Sequence, residues 1–92
     1  MVNETSKGKL RISGLQIKGA RAMLRWTAQD LADKTTLGIM TIRRAEAVDG
    51  PVRLTAANAE TIARTLEKAG IELLDGDTPG VRLRKRKQMS PG

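Results

Sequence analysis

Between residues 13 and 69 the apolar side chains recur every three or four positions, the interval that lines one face of a helix. Ile17, Ala20 and Leu24 make the first such run, with Leu15 and Met23 on the flanks of the same face. Ser13 can cap this helix by accepting an amide hydrogen bond, and the run should close near Arg25. Thr27 can cap a second helix in the same way. Asp30 places negative charge in its first turn, Leu31 and Ala32 face inward, and it should end near Thr35. Gly38 begins a third helix running to about Ala47, with Leu37, Ile42 and Ala45 inward. Asp49, Gly50 and Pro51 then break the chain. A fourth helix opens at Thr55: Ala59, Ile62, Ala63, Leu66 and Ala69 form its stripe, while Glu60, Arg64, Glu67 and Lys68 lie outside it. Gly70 is placed as the residue after its C-cap.

Beyond Gly70 the helical period is lost. Residues 71–74 and 81–84 are short extended runs joined by a stretch rich in Asp, Gly and Pro, which predicts a small β-hairpin. A lone two-stranded hairpin is marginal in water, so it must pack on the helices or pair with another chain. Its apolar residues Ile71, Leu73, Leu74, Val81 and Leu83 make it the expected dimerisation element. Residues 1–12 carry no sustained period and read as a flexible arm, and residues 85–92 as a basic, disordered tail. The expected fold is therefore mainly α: four helices over residues 13–70, followed by a C-terminal hairpin over residues 71–84.

Composition narrows the chemistry. The chain has 92 residues, with no cysteine and no histidine. Packing must then hold one small domain without disulfides, and the usual metal ligands and proton-transfer groups are missing. No enzyme, cofactor or metal site is expected, and Asp75 and Asp77 are explained by a turn. The chain lacks a run of about 18 apolar residues, so no membrane span is expected. Lys7 and Lys9 are not followed by the apolar core of a signal peptide, which makes the cytoplasm the expected location. The formal charge of +7 favours an anionic partner, nucleic acid before a membrane surface. Trp26 is the only aromatic residue. Stacking platforms for single strands are thereby disfavoured, which leaves duplex DNA, and Trp26 is assigned to the core where the first two helices meet.

The second and third helices bracket a turn of about three or four residues, and the third presents Ile39, Met40, Thr41, Arg43 and Arg44 outward. A helix held this way on a basic chain has the geometry that enters a major groove. The segment from Leu15 to Ala69 resembles the XRE-type, phage-repressor-like helix-turn-helix family of DNA-binding domains. The resemblance rests on the coupled positions of Ile17, Arg21, Leu24, Leu31, Ala32, Leu37, Thr41, Ile42 and Glu46, together with the trailing amphipathic helix.

The resemblance implies a sequence-specific transcriptional regulator, a repressor or autoregulator, binding double-stranded DNA as a homodimer and associated with the nucleoid. Ile39, Met40 and Arg44 would face base edges. The planar fork of Arg44 suits guanine, whereas Ile39 and Met40 could only touch thymine methyls or sugar edges. Thr41 and Arg43 would contact phosphates, with Gln29, Lys34 and Arg53 as weaker additions. Arg21 and Glu46 match a family ion pair that orients the first and third helices. Three positions depart from the pattern. Ala28 stands where a glutamine often braces a phosphate, and Gln29, one residue later, is rotated by about 100°. Thr36 replaces the turn glycine, which predicts a strained left-handed residue. The third helix opens on apolar Ile39 and Met40, which would equally serve a protein partner, as in an antitoxin or anti-activator.

Overall fold

A computed structural model describes residues 12–74 and 79–84. The arm over residues 1–11, the hairpin turn over residues 75–78 and the basic tail over residues 85–92 lie outside the described residues. Among the described residues four helices are followed by two strands: α1 (Gly14–Leu24), α2 (Ala28–Lys34), α3 (Ile39–Glu46), α4 (Ala56–Lys68), β1 (Ile71–Leu74) and β2 (Gly80–Leu83).

Three of the four described helices start on a side-chain cap. Ser13 accepts the amide of Gln16 at 3.1 Å, and the Gln16 side chain returns the bond to the Ser13 amide at 2.9 Å. This reciprocal capping satisfies two amides that the first turn leaves without partners. Thr27 and Asp30 repeat the device on α2, at 2.9 and 2.8 Å. Thr55 caps α4 through the amide of Asn58 at 3.1 Å. Gly38, at the head of α3, has no side chain with which to do so.

The ends are equally specific. Arg25 closes α1 in the left-handed region at φ 61°, and the following amide, on Trp26, bonds back to the carbonyl of Arg21 at 2.9 Å. Gly70, at φ 105°, follows the α4 C-cap where only glycine adopts that angle without strain. The strained residue expected at Thr36 is absent, since Arg25 is the only non-glycine residue with positive φ among those described. The chain instead leaves α2 through an extended Thr35, at φ −113° and ψ −177°. The Thr35 hydroxyl bonds the Ala32 carbonyl at 2.9 Å and accepts the Leu37 amide at 3.0 Å. A side chain thus holds the turn that was expected to need glycine.

Ile17, Ala20, Leu31, Ile42, Ala45, Ile62, Ala63, Leu66 and Ile71 are fully buried in one core. Leu24, Trp26 and Leu37 pack against it half-buried. Two expectations about its edge fail. Ile12, assigned to the flexible arm, is buried, and its carbonyl accepts the Val52 amide at 3.1 Å. Leu15 and Met23, expected beside the inward stripe of α1, are 56% and 43% exposed. At about 100° per residue they turn past the edge of a face already filled by Ile17 and Ala20.

The hairpin is antiparallel, pairing Ile71 with Leu83, Leu73 with Val81 and Leu74 with Gly80. β2 begins at Gly80, one residue before the expected run, and ends at Leu83. It packs on α1, and β1 packs on α4. The buried Gln16 fastens it: its amide nitrogen donates to the carbonyls of Leu74 and Gly80, both at 3.0 Å. One side chain therefore caps α1 and clamps the hairpin. Among the described residues, no helix is long and apolar enough to cross a membrane.

Candidate functional site

α3 is a helix with two unlike sides. Ile42 and Ala45 are buried, and Ile39, three residues before Ile42, also packs against the core. Met40, Arg43 and Arg44 recur at the i, i+3, i+4 interval on the opposite face. All three are exposed, Met40 by 64%.

The inner side is fixed by contacts of different kinds. Arg21 of α1 grips Glu46 with two hydrogen bonds, Nε to Oε2 at 2.7 Å and Nη2 to Oε1 at 2.8 Å. Its remaining nitrogen donates to the carbonyl of Trp26 at 3.0 Å. The Arg21 and Glu46 side chains are only 20% and 11% exposed, so the pair is held in a partly desolvated place. The hydrogen bonds to Glu46, and secondarily its charge, raise the pKa of Arg21, against the opposing effect of burial. The pair ties α1 to the C-terminal end of α3.

The start of α1 supplies the second constraint. A Cβ at Gly14 would lie 1.8 Å from the carbonyl oxygen of Val48 and 2.8 Å from that of Ala45. The Gly14 amide also donates to the Gly50 carbonyl at 2.9 Å. The C-terminal end of α3 and the segment behind it therefore rest directly on the backbone of α1.

The residues expected to contact DNA do not form one uniform set. Met40, Arg43 and Arg44 share the outer face of α3, and Thr41 is half-buried beside it. Ile39, expected at base edges, is turned back into the core because its position repeats the inward interval of Ile42 and Ala45. Gln29 donates its amide to Asp33 at 2.8 Å, one turn further along α2. The Lys34 ammonium stands 5.0 Å from the centre of the Trp26 ring, within cation–π range. Arg53 is exposed in the segment between α3 and α4. Among the described residues, no acidic side chain lies within ion-pair distance of Arg43, Arg44 or Arg53.

Nearby charge is not uniformly positive. Asp30, at the exposed start of α2, has its pKa lowered by the bond from the Thr27 amide and then by that from the Thr27 hydroxyl. Its negative charge is committed to the cap. No group of three or more acidic, His or Cys side chains converges into a cation site among the described residues.

The residues expected to join two copies are placed differently from that expectation. Ile71 is fully buried, and Leu73 and Val81 pack against the chain's own core. Leu74 is half-buried, and Leu83 is 45% exposed. The hairpin turns its apolar face onto α1 and α4, which satisfies the need for packing that had suggested a second chain.

Two residues that organise the site had no signal in the apolar pattern. Gly14 looked like an ordinary residue after a cap, and its necessity comes from a neighbour 34 positions away in the chain, Val48. Gln16 had a weak signal, because Ser13-x-x-Gln16 is the spacing of a capping box. Its reach to the hairpin had none. Compared with family models, with curated proteins and with solved structures, the chain matches none.

Proposed function

We propose that the chain is a helix-turn-helix DNA-binding domain of the XRE type. In this reading α3 is the recognition helix of a sequence-specific transcriptional regulator, a repressor or autoregulator acting in the cytoplasm on duplex DNA. The observation that carries the proposal is the division of α3. Its inner side is locked by Glu46 on Arg21 and by Gly14 on the α3 terminus, while its outer side displays Met40, Arg43 and Arg44. An outward, cationic helix on a fixed base has the form that major-groove reading requires.

Within this proposal Arg44 reads bases, by bidentate bonds to guanine O6 and N7, and Met40 lies against thymine methyls or sugars. Arg43 contacts phosphate, as does Thr41 at the edge of the helix, and Arg53 and Lys34 extend the phosphate track. Gln29 is left out, because its amide is engaged by Asp33. Ile39 acts from behind, setting the depth of α3. A short helix reads few base pairs, so the proposal includes two copies on half-sites about one helical turn apart. With Ile71, Leu73 and Val81 packed in their own protomer, the two copies would be brought together by the paired half-sites rather than by that apolar face.

The test is selection of binding duplexes from a random pool, followed by anisotropy titration of the winner. Arg44→Ala should weaken cognate binding by about 5- to 150-fold and relax the preference at one position. Arg43→Ala should weaken all sequences alike and reduce the salt slope by about one. If no duplex binds even at low salt, the proposal fails. A second reading rests on Met40, a large apolar side chain exposed at the head of α3. Under it the same face grips a protein partner, as an antitoxin or anti-activator would, and the affinity should change little with salt.

A further inference from the structure

Among the described residues the outer edge of β2 has no strand beside it. The amide of Arg84 donates to the carbonyl of Gly70 at 2.8 Å, continuing the ladder beyond the Ile71–Leu83 pair. In an antiparallel ladder every second pair exchanges backbone bonds, so the Glu72–Arg82 and Leu74–Gly80 pairs point their polar groups between the strands. The reach of Gln16 to both the Leu74 and Gly80 carbonyls agrees with this phase. The amides and carbonyls of Val81 and Leu83 then point away from β1. Among the described residues neither takes part in a backbone bond outside the hairpin. They are the template that an added strand would use.

The two faces of this edge differ in chemistry. On one side lie Val81 and Leu83, the latter 45% exposed, and the helix beneath β2 exposes Leu15 by 56% and Met23 by 43%. On the other side Arg82 is held by Glu72, with bonds of 2.8 and 3.1 Å to a single oxygen. Arg84 is exposed just beyond the strand, and one of its Nη atoms donates to the Glu67 carbonyl in a long bond of 3.4 Å. A second copy of this chain paired with Val81 opposite Leu83 is a poor occupant. The two-fold register that joins Val81 to Leu83 across the edge would set one Arg82 directly against another, and like charges opposite one another destabilise a sheet. A carboxylate in that place would instead extend the row Glu72, Arg82 into alternating signs.

We propose that the open edge of β2 is a docking site for an extended segment of a partner protein in which acidic and apolar residues alternate. The segment pairs antiparallel with Val81 and Leu83 through its backbone. Its carboxylates lie beside Arg82 and Arg84, and its apolar residues lie beside Val81 and Leu83. Strand addition of this kind takes affinity from the main chain and selectivity from alternate side chains. The site is separate from the outer face of α3 and does not depend on what that face binds.

The experiment uses the full chain, labelled with 15N, and three blocked octapeptides: alternating Val and Glu, alternating Val and Lys, and the Glu peptide with N-methyl groups on every second amide. The Val/Glu peptide should shift the amides of Val81 and Leu83 and slow their exchange with solvent. It should bind at least about tenfold more tightly than the Val/Lys peptide, and the methylated peptide should not bind. The double substitution Glu72→Arg with Arg82→Glu keeps the pair within the hairpin but reverses the charge at position 82, while Arg84 stays cationic. It should cut the preference for the Glu over the Lys peptide by at least about threefold. The proposal is overturned if the Val/Glu peptide at millimolar concentration leaves both amides unchanged, if the Lys peptide binds equally well, or if sedimentation shows a dimer of this chain that itself protects Val81 and Leu83.

Discussion

The two sides of α3 obey different rules. On the inner side every position has a partner inside the protein: Ile42 and Ala45 fill the core, Glu46 holds Arg21, and the last turn touches Gly14. On the outer side Met40, Arg43 and Arg44 are exposed, and no acidic side chain of the described residues pairs with either arginine. The contrast separates what orients the helix from what the helix presents. Substitutions inside should cost stability whatever the ligand, and substitutions outside should cost binding while leaving stability nearly untouched.

The strongest way to break the inner side is Gly14→Ala. Helix propensity alone favours alanine by up to about 1 kcal/mol. The added Cβ would lie 1.8 Å from the Val48 carbonyl, which is backbone and cannot rotate away. Separating α1 from the end of α3 would also stretch the Gly14 to Gly50 bond. The expected outcome is a loss of about 3 kcal/mol in urea unfolding, a large part of the stability of a small domain. An alanine variant as stable as the parent would mean that the close approach does not exist.

Arg21→Ala comes next. It removes two bonds to Glu46 and one to the Trp26 carbonyl, and leaves a carboxylate in a partly desolvated place. Hydrogen bonds to charged groups and broken buried pairs suggest a loss of about 2 to 3 kcal/mol, read as a lower urea midpoint at unchanged slope. Replacing both partners, Arg21→Met with Glu46→Leu, should recover at least half of that loss. If the double variant is no better than the single, the bonds of the guanidinium, that to the Trp26 carbonyl included, outweigh both stem packing and the unpaired carboxylate.

How far the sequence reveals this division can be followed residue by residue. The helices were legible because their apolar periods and caps agree: Ser13, Thr27 and Thr55 are N-caps, and Gly70 follows a C-cap. The pair of Arg21 with Glu46 was legible only through the resemblance, since nothing local links residues 25 positions apart. Ile39 was misplaced because the first residue of a short helix can be counted with either face until the crossing angle is known. Leu15 and Met23 were misplaced for the opposite reason: their spacing fits the stripe, but the core is too small to reach around α1 that far. Gly14, Gln16 and the buried state of the hairpin depend on contacts between distant segments, which no single period encodes.

The smallest effect concerns how α3 begins. α2 opens with a reciprocal cap in which Thr27 and Asp30 satisfy each other's amides, whereas α3 opens on Gly38, which offers no side-chain acceptor. A Cβ at Gly38 would meet nothing within 4 Å, and its backbone, at φ −82° and ψ 164°, is open to any residue. Gly38→Ser should therefore add the missing hydroxyl and stabilise the fold by a few tenths of a kcal/mol. That gain would come from engaging an amide in the first turn of α3, at the end of the outer face nearest Met40. Free amides at a helix start favour an anion, so a DNA phosphate beside the head of α3 would use this amide. The variant should then be slightly more stable and bind duplex DNA slightly more weakly, by about twofold to fivefold if one neutral hydrogen bond of about 0.5 to 1 kcal/mol is lost. Melting and anisotropy on the same sample read the two changes separately. Unchanged affinity with raised stability would show that the start of α3 does not touch the DNA backbone, and would confine the proposed contact surface to Met40, Arg43, Arg44 and their neighbours further along the helix.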